Sequence, residues 1–276
     1  MSRSEAQDNE DGGLYLYCLV RSGNGHPFGR RGLSAKCIDG TGGKMCAVSF
    51  HDLSLVVSEC PKPYYDPTRT NLMAHQKVIE EVMEKGFEPL PVRFSTVACH
   101  SGSTAAEERV VKVLRRRFGE FQGLLGDMED KVELGLKAFW WKERLFDEIV
   151  SENRDIRALR DRMTAAPPEG LAWRNESLRL GTMVSDAMAA KREQDARRIV
   201  SALRPLAYDY KTNKVSSDMM LLNGAFLVCK ERVTEFDKAV QKLDERYGER
   251  MKLKYVGPLP PFNFIEIIIH WDEEEE

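Results

Sequence analysis

The order in which strand-like and helix-like runs follow one another constrains this chain more than any single motif. Leu14-Tyr-Leu-Tyr-Cys-Leu-Val20 is aromatic and apolar with no breaker, and reads as a strand. Residues 45–50 and 53–58 are two further strands, and His51-Asp52 between them is a tight hairpin signal. Asp66-Pro67 then opens a helix, with Asp as N-cap and Pro at the first helical position. Leu72, His75, Ile79, Val82 and Met83 recur at helical spacing, and Gly86 stops the run. Residues 90–97 form the next strand, with Pro91 placing its start at an edge. Thr104 and Glu107 make a capping box, and Val110, Val113, Leu114, Phe118 and Phe121 share a face of the helix that follows. The glycine-rich stretch 22–43 reads as a long loop holding one short strand candidate, Ala35-Lys-Cys-Ile38.

A second cycle begins after Gly126–Asp130, the predicted domain boundary. Residues 132–140 are a strand. Leu145, Ile149, Ile156, Leu159 and Met163 then repeat with heptad-like spacing, with Glu152 in the seam. Ala165-Ala-Pro-Pro-Glu-Gly170 breaks this helix, and a second one runs from about 177 to 204, where Pro205 ends it. Together they predict an antiparallel helical hairpin over about 143–205, each arm on the order of 30 Å at 1.5 Å per residue. A strand (219–229), a helix (234–247) and a strand (251–256) complete the cycle. The expected fold class is therefore α+β: two ferredoxin-like domains, 14–127 and 128–265, the second with an inserted antiparallel helical hairpin. Residues 1–13 read as a disordered N-terminal tail and 266–276 as an acidic C-terminal tail.

Charge and motif content narrow the function. The 41 basic and 44 acidic residues give a net charge of −3, so there is no basic excess to neutralise phosphates and nucleic acid is not an expected partner. No run approaches the ~20 apolar residues of a membrane helix, and the polar start has no secretory apolar region, so no membrane is expected and a cytoplasmic setting is. The six cysteines form no CxxC pair and read as buried, reduced thiols. None of the five histidines has a His or Cys partner three or four residues on, so no metal pair is visible. Gly40-Thr-Gly-Gly-Lys44 fails as a phosphate loop: its spacing is wrong, Met45 replaces the Ser/Thr, and a strand follows. It reads as a turn. His75, on an apolar helix face, reads as a packing histidine; catalysis would need His75 or His100 to meet an acid in space. Arg93 fits outward strand alternation, a buried ion pair or a partner contact. Trp140-Trp141 fit core plus rim, or an interface anchor. The stretch 191–198 reads as a solvated helix face. No catalytic residue, cofactor or metal ligand is predicted, and the chain is not expected to be an enzyme.

Two segments carry a family resemblance. Leu90-Pro-Val-Arg-Phe-Ser-Thr-Val97 resembles the LPxRFGxV strand of the gas vesicle protein GvpL/GvpF family, and Gly257-Pro-Leu-Pro-Pro-Phe-Asn-Phe264 is similar to its GPxPPYxF signature. Residues 14–17, 75–82 and 222–228 are also similar, in the family's order. Ser95 stands where the family usually has Gly, and Phe262 where Tyr is common. The resemblance implies an accessory or minor structural protein of gas vesicles, located at the vesicle or in the cytoplasm. It implies binding to the hydrophobic shell protein and to other accessory proteins, with a role in nucleating or organising assembly. It implies two modified ferredoxin-like domains with a helical motif, no catalysis and no cofactor. Arg93, Phe94, Gly257, Pro258, Pro260, Pro261 and Phe262 are the candidate interface or structural residues. The prolines form a rigid extended segment or a docking surface. A small-molecule-binding regulatory protein is the alternative, since ferredoxin-like sheets present clefts; it predicts a defined polar pocket.

Overall fold

The computed structural model describes residues 13–22, 33–38, 40, 45–101, 104–165 and 167–271. Most of the N-terminal tail, most of the glycine-rich loop, all but Gly40 of Gly40–Lys44, and residues 272–276 lie outside them. The chain divides into two compact units, 1–133 with 258–276, and 134–257.

The first unit contains β1 (Gly13–Arg21), β2 (Met45–Phe50), β3 (Leu53–Cys60), α1 (Arg69–Glu84), β4 (Leu90–Pro91), β5 (Val97–Cys99), α2 (Ala106–Arg116) and α3 (Phe118–Met128). Its sheet runs β2-β3-β1-β4, with β5 also on β1, and every pair is antiparallel. This is the ferredoxin-like strand order. Alternation along β1 sends Leu16 and Leu19 into one core with Val110, Val113 and Phe121 of α2 and α3. Tyr15, Tyr17 and Val20 enter a second core with Val78, Ile79 and Val82 of α1. A bulge between Leu16 and Cys18 inserts Tyr17 as an extra residue, which is why Tyr17 and Cys18 face the same core. The β2–β3 hairpin turns at His51, held at φ 54°.

Four local expectations change. The helix starts at Arg69, because Thr68 is the cap: its hydroxyl accepts the Asn71 N–H at 3.2 Å. The strand 90–97 is split into β4 and β5, because Ser95 takes φ 64° and turns the chain. Ala105, not Thr104, is the α2 N-cap, and the chain breaks at Arg117 before α3. Residues 35–38 are not a strand; the Ser34 and Ala35 N–H groups donate to the Glu81 carboxylate instead.

In the second unit the order is β6 (Lys131–Trp140), α4 (Lys142–Glu152), α5 (Arg154–Ala165), α6 (Gly170–Leu203), β7 (Asp209–Thr212), β8 (Met220–Cys229), α7 (Val233–Tyr247) and β9 (Met251–Leu259). The sheet order β7-β8-β6-β9 repeats that of the first unit, with the helical hairpin filling the first crossover. Leu145, Ile149, Ile156 and Leu159 form the buried seam. The first arm breaks at Asn153, whose side-chain amide donates to the Ile149 carbonyl at 2.7 Å. The second arm begins at Gly170 (φ 90°), and its 34 residues extend about 51 Å. β7, four residues long, carries no periodic signal of its own.

The C-terminal reading is corrected. Residues 266–271 are not part of a solvated tail, because Ile267 and Ile269 are 2% and 8% exposed and pack, with Ile265 and Trp271, on the first unit's core. The alternation Ile265-Glu-Ile-Ile-Ile-His-Trp271 buries one apolar side. The acidic run beyond it had masked that pattern.

Candidate functional site

The first signature segment meets the stretch just beyond the second, more than 170 residues on, within the first unit. Val92 forms a parallel bridge with Ile267. The Arg93 N–H donates to the Ile267 carbonyl and the Ile267 N–H to the Pro91 carbonyl, both at 2.9 Å. The Arg93 guanidinium lies 3.2 Å from the Glu266 carboxylate; each side chain is about half exposed, so this pair is worth under about 1 kcal/mol. Arg93 therefore points outward and carries an exposed ion pair.

Phe94 packs edge-on against Tyr15 and His75, with centroids at 6.4 and 5.7 Å, and Phe262 packs against the same cluster. Pro260 and Pro261 are buried, and the Phe262 and Phe264 N–H groups donate to their carbonyls at 2.7 and 3.0 Å. That stretch is a turn, whereas Gly257 (φ 136°) and Pro258 are exposed and lie in β9. Glu133, 2% exposed, accepts from both the backbone and the side-chain N–H of Asn263. Sequence reasoning missed Glu133, because nothing local marks a carboxylate whose partner lies 130 residues away.

Ser95 explains the family's glycine at this position. Its φ of 64° is a conformation that costs an L-residue roughly 1–2 kcal/mol. Its hydroxyl compensates by accepting the Tyr65 N–H at 2.8 Å, while its own N–H donates to the Tyr15 hydroxyl at 3.0 Å. Ser95→Ala keeps the strain and loses the acceptor, so denaturant unfolding should show a loss of about 1–2 kcal/mol. Ser95→Gly removes both and should stay within about 1 kcal/mol of the parent.

His75 is a buried packing histidine. The Tyr15 hydroxyl lies 3.0 Å from Nδ1, and the ring's other N–H faces the Val92 carbonyl. With the neutral ring's proton on the nitrogen that faces Val92, Nδ1 is the acceptor and the Tyr15 hydroxyl donates to it. Burial pushes the His75 pKa down from 6.5 to about 4. Between these values the unfolded chain binds the proton and the folded chain does not, so stability falls as pH drops from about 6.5 to about 4. The full loss is about 3 kcal/mol at 1.36 kcal/mol per pH unit. Unfolding free energies measured across that window should show this slope, and His75→Gln should flatten it. His100 is exposed.

In the second unit a polar network ties the hairpin to the sheet. The Asp195 carboxylate, 1% exposed, accepts from the Trp140 indole at 3.0 Å, Arg198 at 3.1 Å and Arg250 at 3.3 Å. Glu148 accepts from Arg250 and from Lys191, each at 2.7 Å, and Lys191 also reaches Glu152 at 3.0 Å. The Arg250 guanidinium, followed by Lys191, holds the Glu148 pKa down at about 2. The stretch 191–198 is thus only partly a solvated face: Lys191 and Asp195 are buried, in register with Ile199 and Leu203. Trp140 is buried and Trp141 is 44% exposed, as core and rim.

A groove of about 440 Å³ opens at the Asn153 break, lined among others by Ile149, Glu152, Lys191, Glu193 and Arg197. Its charges already pair with one another, Lys191 with Glu152 and Arg197 with Glu193. No group of three or more metal-ligating side chains occurs among the described residues. The six cysteines are free thiols, three of them buried.

Comparison with known proteins places this arrangement. The family model for gas vesicle synthesis protein GvpL/GvpF matches residues 13–266, which include both signature segments. A gas vesicle protein F from a Streptomyces species is 32% identical over 78% of this chain and 84% of its own length. Another from a Nostoc species is 24% identical over 92% and 98%. The fold is shared with the crystal structure of the gas vesicle protein GvpF from Anabaena sp., with a TM-score of 0.74 at 23% identity over 94% of this chain and all of that one. With the family model spanning nearly the whole described chain, this protein belongs to the GvpL/GvpF family of gas vesicle synthesis proteins.

Proposed function

We propose that this chain works in gas vesicle assembly, as an accessory or minor structural protein that binds the hydrophobic shell protein and helps nucleate or organise the wall. The family match over residues 13–266 carries the reading. The setting is the gas vesicle and the cytoplasm around it. No helix among the described residues is long and apolar enough to cross a membrane. The partners are the shell protein and other accessory proteins, and the role is one of contact without catalysis or cofactor.

The physical case rests on the hairpin. Any protein that builds a gas-facing wall has an apolar side that aggregates in water unless it is shielded before assembly. The long arm offers a complementary surface. Leu171 and Leu178, seven residues apart on one face, are 75% and 73% exposed. Trp173, Leu180, Met183 and Val184 are only half-buried, and the Trp173 indole N–H has no acceptor among the described residues. An amphipathic helix can lay its apolar side along such an arm. In this reading Arg93, Phe94, Pro260, Pro261 and Phe262 serve architecture, by holding the C-terminal segment 265–271 on the first unit's core. Gly257 and Pro258 serve it too, by shaping the end of β9.

The test is recovery of shell protein on immobilised full-length chain, on Leu171→Asp/Leu178→Asp, and on a hairpin-shortened chain. Recovery by the parent and loss in both variants is expected. Equal recovery by all three would reject the hairpin as the contact, and no recovery by the parent would reject shell binding.

A further inference from the structure

We propose that the exposed patch on strands β6 and β9, on the side of the second unit's sheet away from α7, is a second docking surface that takes an acidic, extended segment of another protein. One face of this sheet is closed by helices: Phe226 and Tyr255 both pack on Phe236 of α7, and Leu134, Leu136, Ala138 and Trp140 are buried. Alternation places the intervening residues of β6 on the opposite face, Gly135, Lys137 and Phe139, and there Lys137 is exposed. Lys252, Lys254 and Val256 of β9 alternate in the same way and are exposed. Two contacts fix them on that face with β6: the Lys254 ammonium sits 5.2 Å from the Phe139 ring centroid, and Val256 packs directly over Gly135.

The charge on this face is uncompensated. Among the described residues Lys137, Lys252 and Lys254 enter no ion pair, whereas Lys191, Arg197, Arg198, Arg232 and Arg250 of the same unit all do. In a chain of net charge −3, three unpaired lysines share one side of two adjacent strands, and one of them lies over an aromatic ring. Lysines on β9 alone would be explained as guards of an edge strand against unwanted pairing. That explanation does not reach Lys137, because the order β7-β8-β6-β9 puts β6 inside the sheet, where there is no edge to guard. The face thus combines positive charge with an apolar centre, Phe139 and Val256, and with the hydrogen-bonding edge of β9 beside it. Carboxylates complement the lysines, and an extended backbone can add along β9. This surface is separate from the hairpin, so its failure leaves the shell-protein reading untouched.

The experiment uses the full chain and three probes at low and physiological salt. They are a labelled peptide of alternating glutamate and tyrosine, the same peptide with glutamine for glutamate, and a single-stranded oligonucleotide of matched charge. The acidic peptide should bind, the glutamine peptide should not, and Lys137→Glu/Lys254→Glu should weaken binding roughly tenfold or more. Because these side chains are exposed, the variant should keep its parent's unfolding midpoint, which separates lost docking from lost folding. Phe139→Ser, with the lysines kept, should weaken the peptide further than salt alone does. Equal binding by parent and lysine variant would overturn the proposal. Tighter binding of the oligonucleotide than of the acidic peptide would overturn it as well.

Discussion

Replacing Asp195 with alanine is expected to lower the unfolding free energy by about 3–5 kcal/mol, among the largest single-residue effects in the chain. The reason is burial, not the number of ion pairs. At 1% exposure the carboxylate is the shared acceptor for the Trp140 indole, Arg198 and Arg250. Removing it strands the indole N–H and leaves a half-buried guanidinium with Glu148 alone. Asp195→Asn keeps the shape and one acceptor and should lose less. The exposed Arg93–Glu266 pair sets the contrast, since breaking it should change stability by under about 1 kcal/mol. Urea unfolding followed by tryptophan fluorescence measures both, because Trp140 sits on the network and Trp271 on the first unit's core. A loss below about 1 kcal/mol for Asp195→Ala would contradict the buried placement of that carboxylate.

Ending the chain after Phe264 should destabilise the first unit by several kcal/mol. Ile267 and Ile269 together account for about 3–6 kcal/mol at roughly 1.5–3 kcal/mol for each fully buried side chain. The truncation also removes the two 2.9 Å backbone hydrogen bonds to Pro91 and Arg93, and the Arg117 contact to the Ile268 carbonyl. Ile267→Asp, in an otherwise complete chain, should reproduce most of the loss by burying a charge. A solvated acidic tail would predict almost no effect from either change, so thermal or denaturant midpoints decide between the two descriptions.

The parts of this fold that were legible in the sequence are those where one face of an element is buried and the period is long enough to count. β1, β6 and β8, the helix α7 and the hairpin seam at Leu145, Ile149, Ile156 and Leu159 all follow from that alternation. What escaped has a common cause: its partner is distant or its signal is a single residue. Ser95 turns a strand through one positive φ that only its hydroxyl and backbone N–H support. Lys191 and Asp195 look like surface charges, but they stand four apart in register with Ile199 and Leu203, and that register was the readable signal. β7 is too short to show a period, and the order of Ile265, Ile267 and Ile269 was overshadowed by the acid that follows. Of the candidate site, the two signature segments were legible as sequence. The pairing of Val92 with Ile267, just past the second segment, was not, because register between distant segments is set by tertiary packing.

The central claim is that this protein contributes to gas vesicles through the surfaces it presents to other proteins. Counting gas-filled vesicles by electron microscopy and by pressure-sensitive turbidity tests it most directly, in cells that express a vesicle gene set with and without this chain. The account predicts few or no intact vesicles in its absence. It also predicts recovery with the parent chain and poor recovery with Leu171→Asp/Leu178→Asp at equal protein level. Vesicles of normal number and collapse pressure in cells lacking the chain would contradict it.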